Sequence, residues 1–300
     1  CSWRESCGRV AAADGHLSEV SGIGAKRREM LQELGIHGLN DLASANPERL
    51  AVQMERFGEQ HGDVAGALVA QAMAQRDGLV ERLDSTLALP ELQRAPGVLL
   101  YDIESDPDAR HDFLHGFLRL PRQSDGGWDL AAATYHPLLV LAEHGEQRSW
   151  LRLQRLLSRY EGWPILHYGE TETLSLRRLA QRQGASDAQL RRLKRSLIDV
   201  HARIRSHWRL PLSSYGLKSV AAWRGFRWSQ SGVDGARALL WWRQWLGEGP
   251  KRRGSRHGLE WIFLYNQDDC RATWAVAEWL LEEDDLLNTA QRLDQPTAGR

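Results

Sequence analysis

The sequence predicts an α/β protein: a mixed β-sheet flanked by helices, preceded by a small all-α region. Three observations carry this expectation. Short apolar, branched runs at Val98–Ile103, Phe113–Leu120 and Pro164–Tyr168 have the length and composition of buried strands. Amphipathic segments over 146–160 and Thr171–Gln183 alternate with those runs, and helical periodicity dominates later, most clearly at Asp234–Leu246 and Leu259–Leu281. Strands first, helices later and an alternation between them describe one sheet with helices packed on it. A third strand is expected between Trp128 and Leu141, and another at Leu197–Val200, with a helical pattern from there to Glu283.

Ahead of Pro96-Gly97 the character is different. Residues 16–60 read as a run of short helices, in which Ser21-Gly22-Ile23-Gly24 leads into an amphipathic Lys26–Leu34 that Gly35 ends as a C-cap. Residues 61–95 are expected to form a helical linker, 96–285 the α/β domain and 286–300 a flexible tail. Residues 1–15, carrying Cys1 and Cys7, read as the remnant of a Cys-containing module. A chain that opens on Cys1 rather than Met is expected to be truncated at its N-terminus.

At 300 residues, 42% hydrophobic and 26% charged, the composition is that of a globular protein and excludes a disordered chain. No apolar run reaches the ~18 residues of a membrane span, so no membrane partner is expected. Three cysteines give no disulfide framework, which favours a reducing compartment, the cytoplasm. A monomer is the expected state.

The formal net charge is zero, but its distribution is uneven. Residues 177–258 hold 19 Lys and Arg against 4 Asp and Glu, and seven of the 13 Trp residues lie between Trp208 and Trp261. A cationic stretch interleaved with indoles suits a surface that clamps phosphates and stacks on bases. The plainer alternative is that Trp241, Trp242 and Trp245 pack a helix and the arginines form a solvated face. Arg outnumbers Lys 35 to 4 throughout, which points to a general bias toward arginine.

The strongest chemical signal is a set of carboxylates. Asp102-Ile103-Glu104 ends the first strand, and alternation puts both acids on one face. Carboxylates converging at a strand end repel unless a cation neutralises them, and hard divalent ions prefer such oxygen ligands. His167–Glu172 carries a strand into a helix and delivers Glu170 and Glu172 at the helix start. On the last helix, Tyr265 and Asp269 stand at i and i+4 and share a face.

In order and context, Asp102/Glu104, Glu172 and Tyr265/Asp269 resemble the three exonuclease motifs of the DEDD superfamily, in its tyrosine form. The domain resembles the YprB-type ribonuclease H-like domain found at the C-terminal end of RecB-like putative nucleases. Leu100–Pro107, Ile165–Tyr168, Ser214–Lys218 and Tyr265–Cys270 carry the resemblance, which covers about 96 to 284. It implies a ribonuclease H-like fold and phosphodiester hydrolysis with two divalent ions, Mg or Mn. By that resemblance Asp102, Glu104, Glu172 and Asp269 would ligate metal, Tyr265 would orient the attacking water and Lys218 would hold a substrate phosphate. The middle motif usually supplies Asp; here Glu172 stands there, with Glu170 as the rival ligand.

Leu17–Leu42 resembles a helix-hairpin-helix element with Gly22 and Gly24 in its hairpin. Amide groups exposed there, with Lys26, Arg27 and Arg28, would contact phosphates without reading sequence. Cys1 and Cys7 resemble the end of a cysteine group that can hold an iron–sulfur cluster. A cluster needs four thiolates, so one is expected only in a longer parent chain.

The expected function is therefore a divalent-metal-dependent nuclease acting on DNA or RNA, of the 3′→5′ exonuclease type that the resemblance implies. The alternative is a catalytically weak or inactive nucleic-acid-binding module that positions substrate for a missing N-terminal RecB-like nuclease domain. A structure-specific endonuclease also fits the basic stretch.

Overall fold

A computed structural model describes residues 14–141, 145–248 and 255–293. Residues 1–13, with Cys1 and Cys7, and the last seven positions of the expected tail lie outside the described residues. The chain divides into two compact units, Cys1–Thr86 with Ile204–Val220, and Leu87–Arg203 with Ala221–Arg300.

The first unit is built on short helices: α1 (Ala25–Glu33), α2 (Leu39–Ala43), α3 (Pro47–Met54), α4 (Glu59–Gly62) and α5 (Ala65–Asp77). Leu17, Leu31, Leu42, Leu50 and Leu68 meet in its buried core. As expected from the sequence, Gly35 ends α1: Ile36 N–H donates to the Leu31 carbonyl (2.9 Å) and Gly35 N–H to that of Gln32 (3.0 Å), with Gly35 left-handed. Asn46 caps α3 by accepting from Arg49 N–H (2.8 Å), and Pro47 occupies the first helical position, where no N–H is needed.

The expected helical linker is helical through α5 to Asp77, and after it only a 3-10 turn at Pro90–Leu92 remains. Gly78 turns the chain, and Glu81–Arg82 pairs antiparallel with Trp208–Arg209 as a two-residue ribbon. The helical pattern expected from Val200 onward breaks at the same place. Gln71 is the physical reason: its amide donates to the Leu210 carbonyl (2.9 Å) and its carbonyl accepts from the Tyr215 hydroxyl (3.0 Å). The irregular segment thereby satisfies polar backbone that a helix would have satisfied internally.

The second unit is a mixed five-stranded sheet with helices on both faces. Its strands are β1 (Gly97–Asp106), β2 (His111–Pro121), β3 (Thr134–Leu139), β4 (Ile165–His167) and β5 (Leu197–Asp199), in the order β3-β2-β1-β4-β5. The β1–β2 and β2–β3 pairs are antiparallel; β1–β4 and β4–β5 are parallel. This is the α/β mixed sheet expected from the sequence, with each anticipated strand present. The helices are α6 (Gly145–Arg159), α7 (Glu170–Arg182), α8 (Asp187–Ser196), α9 (Val200–His207, which runs into the first unit), α10 (Leu217–Trp223, which begins in the first unit), α11 (Gly235–Glu248) and α12 (Ser255–Leu293). Helix α12 continues to Leu293, so 286–293, expected to be a loose tail, are helical.

Strand β1 serves two faces. Leu99 and Tyr101 point into a core made with Trp150 and Leu153 of α6 and Leu176 and Leu179 of α7. Leu100, Asp102 and Glu104 alternate to the other face, on which α12 lies. The approach of α12 is close because β2 offers Gly116, opposite Asp102. A Cβ there would lie 1.6 Å from Asn266 Oδ1 and 2.8 Å from the Tyr135 hydroxyl. Gly116→Ala must displace Asn266, so it is expected to destabilise the protein by about 1–3 kcal/mol, the range for overpacking a filled core. For a unit of this size that lowers the melting midpoint by roughly 2–4 °C per kcal/mol. An unchanged midpoint in thermal or urea unfolding would show that the contact does not constrain the packing.

A carboxylate cluster at the end of the first sheet strand

Each acid reaches the site from a rigid element. Asp102 and Glu104 project from the last turns of β1, where the β1–β2 register shifts after Glu104. Asp269 comes from the middle of α12. Ligand-capable oxygens of Asp102, Glu104 and Asp269 all lie within 4.8 Å of one another. Glu104 and Asp269 are buried and Asp102 is partly exposed. An all-carboxylate donor set of this kind fits a hard divalent cation.

The charges strain one another. Burial and then the neighbouring Asp269, Glu104 and Glu172 carboxylates push the Asp102 carboxyl well above its ordinary range. Two neutral donors oppose the repulsion: the Asn266 amide donates to Asp102 Oδ2 (2.7 Å), and the Trp228 indole to Asp269 Oδ1 (2.6 Å). Asn266 is fully buried and accepts from the Tyr135 hydroxyl (2.7 Å), which holds its amide turned toward Asp102. The adjacent Asp268 is occupied elsewhere, accepting from the Ser229 backbone (2.8 Å) and hydroxyl (2.5 Å). That pair anchors the Trp228–Ser229 loop beside Asp269.

Tyr265 is buried one helical turn before Asp269 and hydrogen-bonded to it. Burial, then the Asp269, Glu104 and Asp102 carboxylates, raise its phenol far above the ordinary tyrosine value, so it remains protonated.

The β4–α7 turn positions Glu172. Gly169 adopts φ +112°, a conformation that favours glycine, and its N–H donates to Asp199 Oδ1 (3.0 Å) while its carbonyl meets His167 Nδ1 (2.8 Å). Helix α7 then starts at Glu170, which is exposed, whereas Glu172 is buried. Burial foremost, with the Asp199 and Asp269 carboxylates adding to it, raises Glu172 to about 7. Its Oε2 is buried without a hydrogen-bond partner, an acceptor that a cation or a water would satisfy. Asp102, Glu104, Tyr265 and Asp269 thus converge; Glu172 interacts electrostatically with that group, and Glu170 faces solvent.

The remaining candidate residues belong to the first unit. Gly22 has φ +92°, Gly24 is the N-cap of α1, and Lys26 is exposed. Arg27, expected as a phosphate contact, donates to the Gly22 carbonyl (2.6 Å). Lys218 is exposed at the start of α10. Cys270 is a buried free thiol facing the Leu100 and Gly116 carbonyls, and so packs rather than ligates.

Sequence reasoning missed Asn266, Gly116 and Trp228. Asn266 lay inside a motif already singled out, and a polar residue three before Asp269 on the same helix was a usable signal. Nothing in the sequence ties Trp228 to an acid 41 positions away.

No helix among the described residues is long and apolar enough to cross a membrane. No curated protein and no solved structure gives a significant match to the chain. A family model does: that of the RNase_H superfamily matches residues 99–281, from the third residue of β1 to the body of α12, and so contains every carboxylate of the cluster. With more than half of its length matched, the chain belongs to the RNase_H superfamily.

Proposed function

We propose that the protein is a divalent-metal-dependent nuclease that hydrolyses nucleic-acid phosphodiester bonds, of the 3′→5′ exonuclease type. The observation that carries this reading is the convergence of Asp102, Glu104 and Asp269 within the segment that matches the RNase_H superfamily. These three would hold a cation, Mg²⁺ or Mn²⁺, and Glu172, with its unpartnered Oε2, would help hold a second. Bound divalent ions would supply an activated water and offset the charge that develops on the phosphate. The chain's own residues would do the rest. Asn266 and Trp228 keep Asp102 and Asp269 oriented without neutralising them. Tyr265, protonated and hydrogen-bonded to Asp269, would orient the attacking water by accepting from it at the phenol oxygen.

Gly22, Gly24 and Lys26 of the hairpin and Lys218 would contact the phosphate backbone, the hairpin acting as a helix-hairpin-helix element. Residues 96–285 would be the DEDD-like catalytic domain, related to the YprB type and to RecB-like nucleases. An iron–sulfur cluster would belong only to a longer parent chain. The protein would act in the cytoplasm as a monomer.

Cleavage of end-labelled single- and double-stranded DNA and RNA tests the reading. Mn²⁺- or Mg²⁺-dependent degradation is expected, absent in EDTA. Asp102→Asn and Asp269→Asn should each lower the rate by at least about 100-fold, as expected for groups that hold the metal ions, with little change in binding. The product ladder gives polarity. Binding without cleavage by the wild type would favour the alternative, a non-catalytic module.

The acids also predict how stability depends on pH. With Glu172 raised to about 7 and Asp102 raised, the folded state binds more protons than the unfolded chain above the ordinary carboxylate range. Metal-free stability therefore falls as pH rises from about 4.5 through 7. Mn²⁺ should raise the melting temperature by several degrees at pH 8 and by little at pH 5. Without metal, Glu172→Gln should melt above the wild type at pH 8 and with it at pH 4.5. An equal Mn²⁺ increment at both pH values would argue against a cation at these carboxylates.

A further inference from the structure

Within the second unit and built from other residues, α6, the loop after it, β4 and α8 line an open cavity of about 480 Å³. That size falls in the range of small-molecule sites. Its apolar part is formed by buried Ile165 and Leu193 and by the indoles of Trp150 and Trp163. The Trp163 wall is held in place from behind. Its ring lies 4.8 Å from that of Tyr160, and the Arg119 guanidinium covers both, 5.5 Å from the Tyr160 ring and 5.8 Å from the Trp163 ring.

The polar lining is selective. Glu161, the acid at the cavity, is paired with Arg192, which leaves Arg195 as an uncompensated cation there. Neither Arg195 nor the Gln154 amide has a side-chain partner among the described residues. Arg195 is exposed and Gln154 half-buried in the lining, so a ligand with a polar edge and an anion can pair with both, whereas a metal cation would face Arg195. Two indoles, an amide that both donates and accepts, and one arginine match a planar hydrogen-bonding ring that carries an anion.

We propose that this cavity binds a nucleoside monophosphate unit, with its base against Trp150 and Trp163, its base edge read by Gln154 and its phosphate held by Arg195. The unit is either a free mononucleotide or one nucleotide of a strand. Occupancy does not require hydrolysis or the carboxylate cluster.

Calorimetric titration of the whole chain in EDTA tests this, with AMP, GMP, CMP and UMP, their nucleosides and short oligonucleotides as probes. Saturable binding of one equivalent of at least one monophosphate is expected. Arg195→Glu should weaken monophosphates by at least about tenfold, as expected for loss of a charged hydrogen bond, and leave nucleosides nearly unchanged. Gln154→Trp, which fills the cavity, should abolish both. Arg155→Glu, an exposed change on α6 outside the lining, and Asp102→Asn should bind as the wild type does. Oligonucleotides that displace the mononucleotide identify a strand as the source; failure to displace identifies free nucleotide. No saturable binding by the wild type overturns the proposal. So does binding that survives Gln154→Trp in a variant whose circular dichroism and melting match the wild type, and so does equal loss of nucleoside and monophosphate in Arg195→Glu.

Discussion

Like charges brought together in a partly dry place are the constraint around which the α/β unit is organised. Oxygens of Asp102, Glu104 and Asp269 approach within 4.8 Å, where water cannot fully screen them. Flexible carriers would swing apart, so each acid sits on an element that cannot. Two ride the central strand β1, and the third rides the 39-residue helix α12. The helix is held against the sheet through a short chain of contacts. Gly116 leaves room for Asn266, Tyr135 fixes the Asn266 carbonyl, and the Asn266 amide is then presented to Asp102. An amide suits this place because it donates to a carboxylate without cancelling the charge that a cation needs.

The other face of the same strand supplies the rigidity. Tyr101, one residue before Asp102, is buried and hydrogen-bonded to His115 (2.9 Å). Burial lowers His115 to about 4, so at neutral pH this pair carries no charge beneath the acids. Asp112 accepts from Ser105 (2.6 Å) and from Ser175 of α7, which ties the β1–β2 hairpin to the helix that carries Glu172. One strand thus carries core at Leu99 and Tyr101 and chemistry at Asp102 and Glu104, a division that the twofold alternation of side chains makes available.

What could be read in advance follows the range of the forces involved. Strands announced themselves through local composition: Val98–Ile103 and Phe113–Leu120 needed only slight extension, to Gly97–Asp106 and His111–Pro121. Asp102/Glu104 and Tyr265/Asp269 were legible because strand and helix spacing alone put each pair on one face. The Glu170–Glu172 alternative was not. It turned on where α7 begins after Gly169, and that start is set by Asp199, thirty residues later. Trp228 and the Gln71-to-Leu210 contact escaped for the same reason, being long-range bonds with no local signature. The expected helical linker and loose tail failed in opposite directions. After Asp77 the backbone is bonded by side chains, Arg82 to the Asp84 and Thr86 carbonyls and Asp284 to the Ala88 and Leu89 amides, and after Asp285 helix continues to Leu293.

The uneven charge along the chain takes a different meaning in three dimensions. Six of the 19 cations in the stretch 177–258 are answered by acids outside it: Arg182 by Glu146, Arg192 by Glu161, Arg203 by Glu91, Arg209 by Glu81, Arg224 by Glu282 and Arg243 by Asp106 and Asp108. The segregation of sign along the sequence is therefore in part a pairing scheme, with the acidic flanks returning to the basic middle. Such exposed pairs contribute little stability individually, but they remove these arginines from any count of cations open to a polyanion. The charge of the stretch, counted from the sequence alone, then overstates what is open to a nucleic acid. The stronger argument lies in the like charges gathered at the end of β1, which no cation of the chain neutralises in the bonds described above, and in Arg195 at the cavity between α6 and α8.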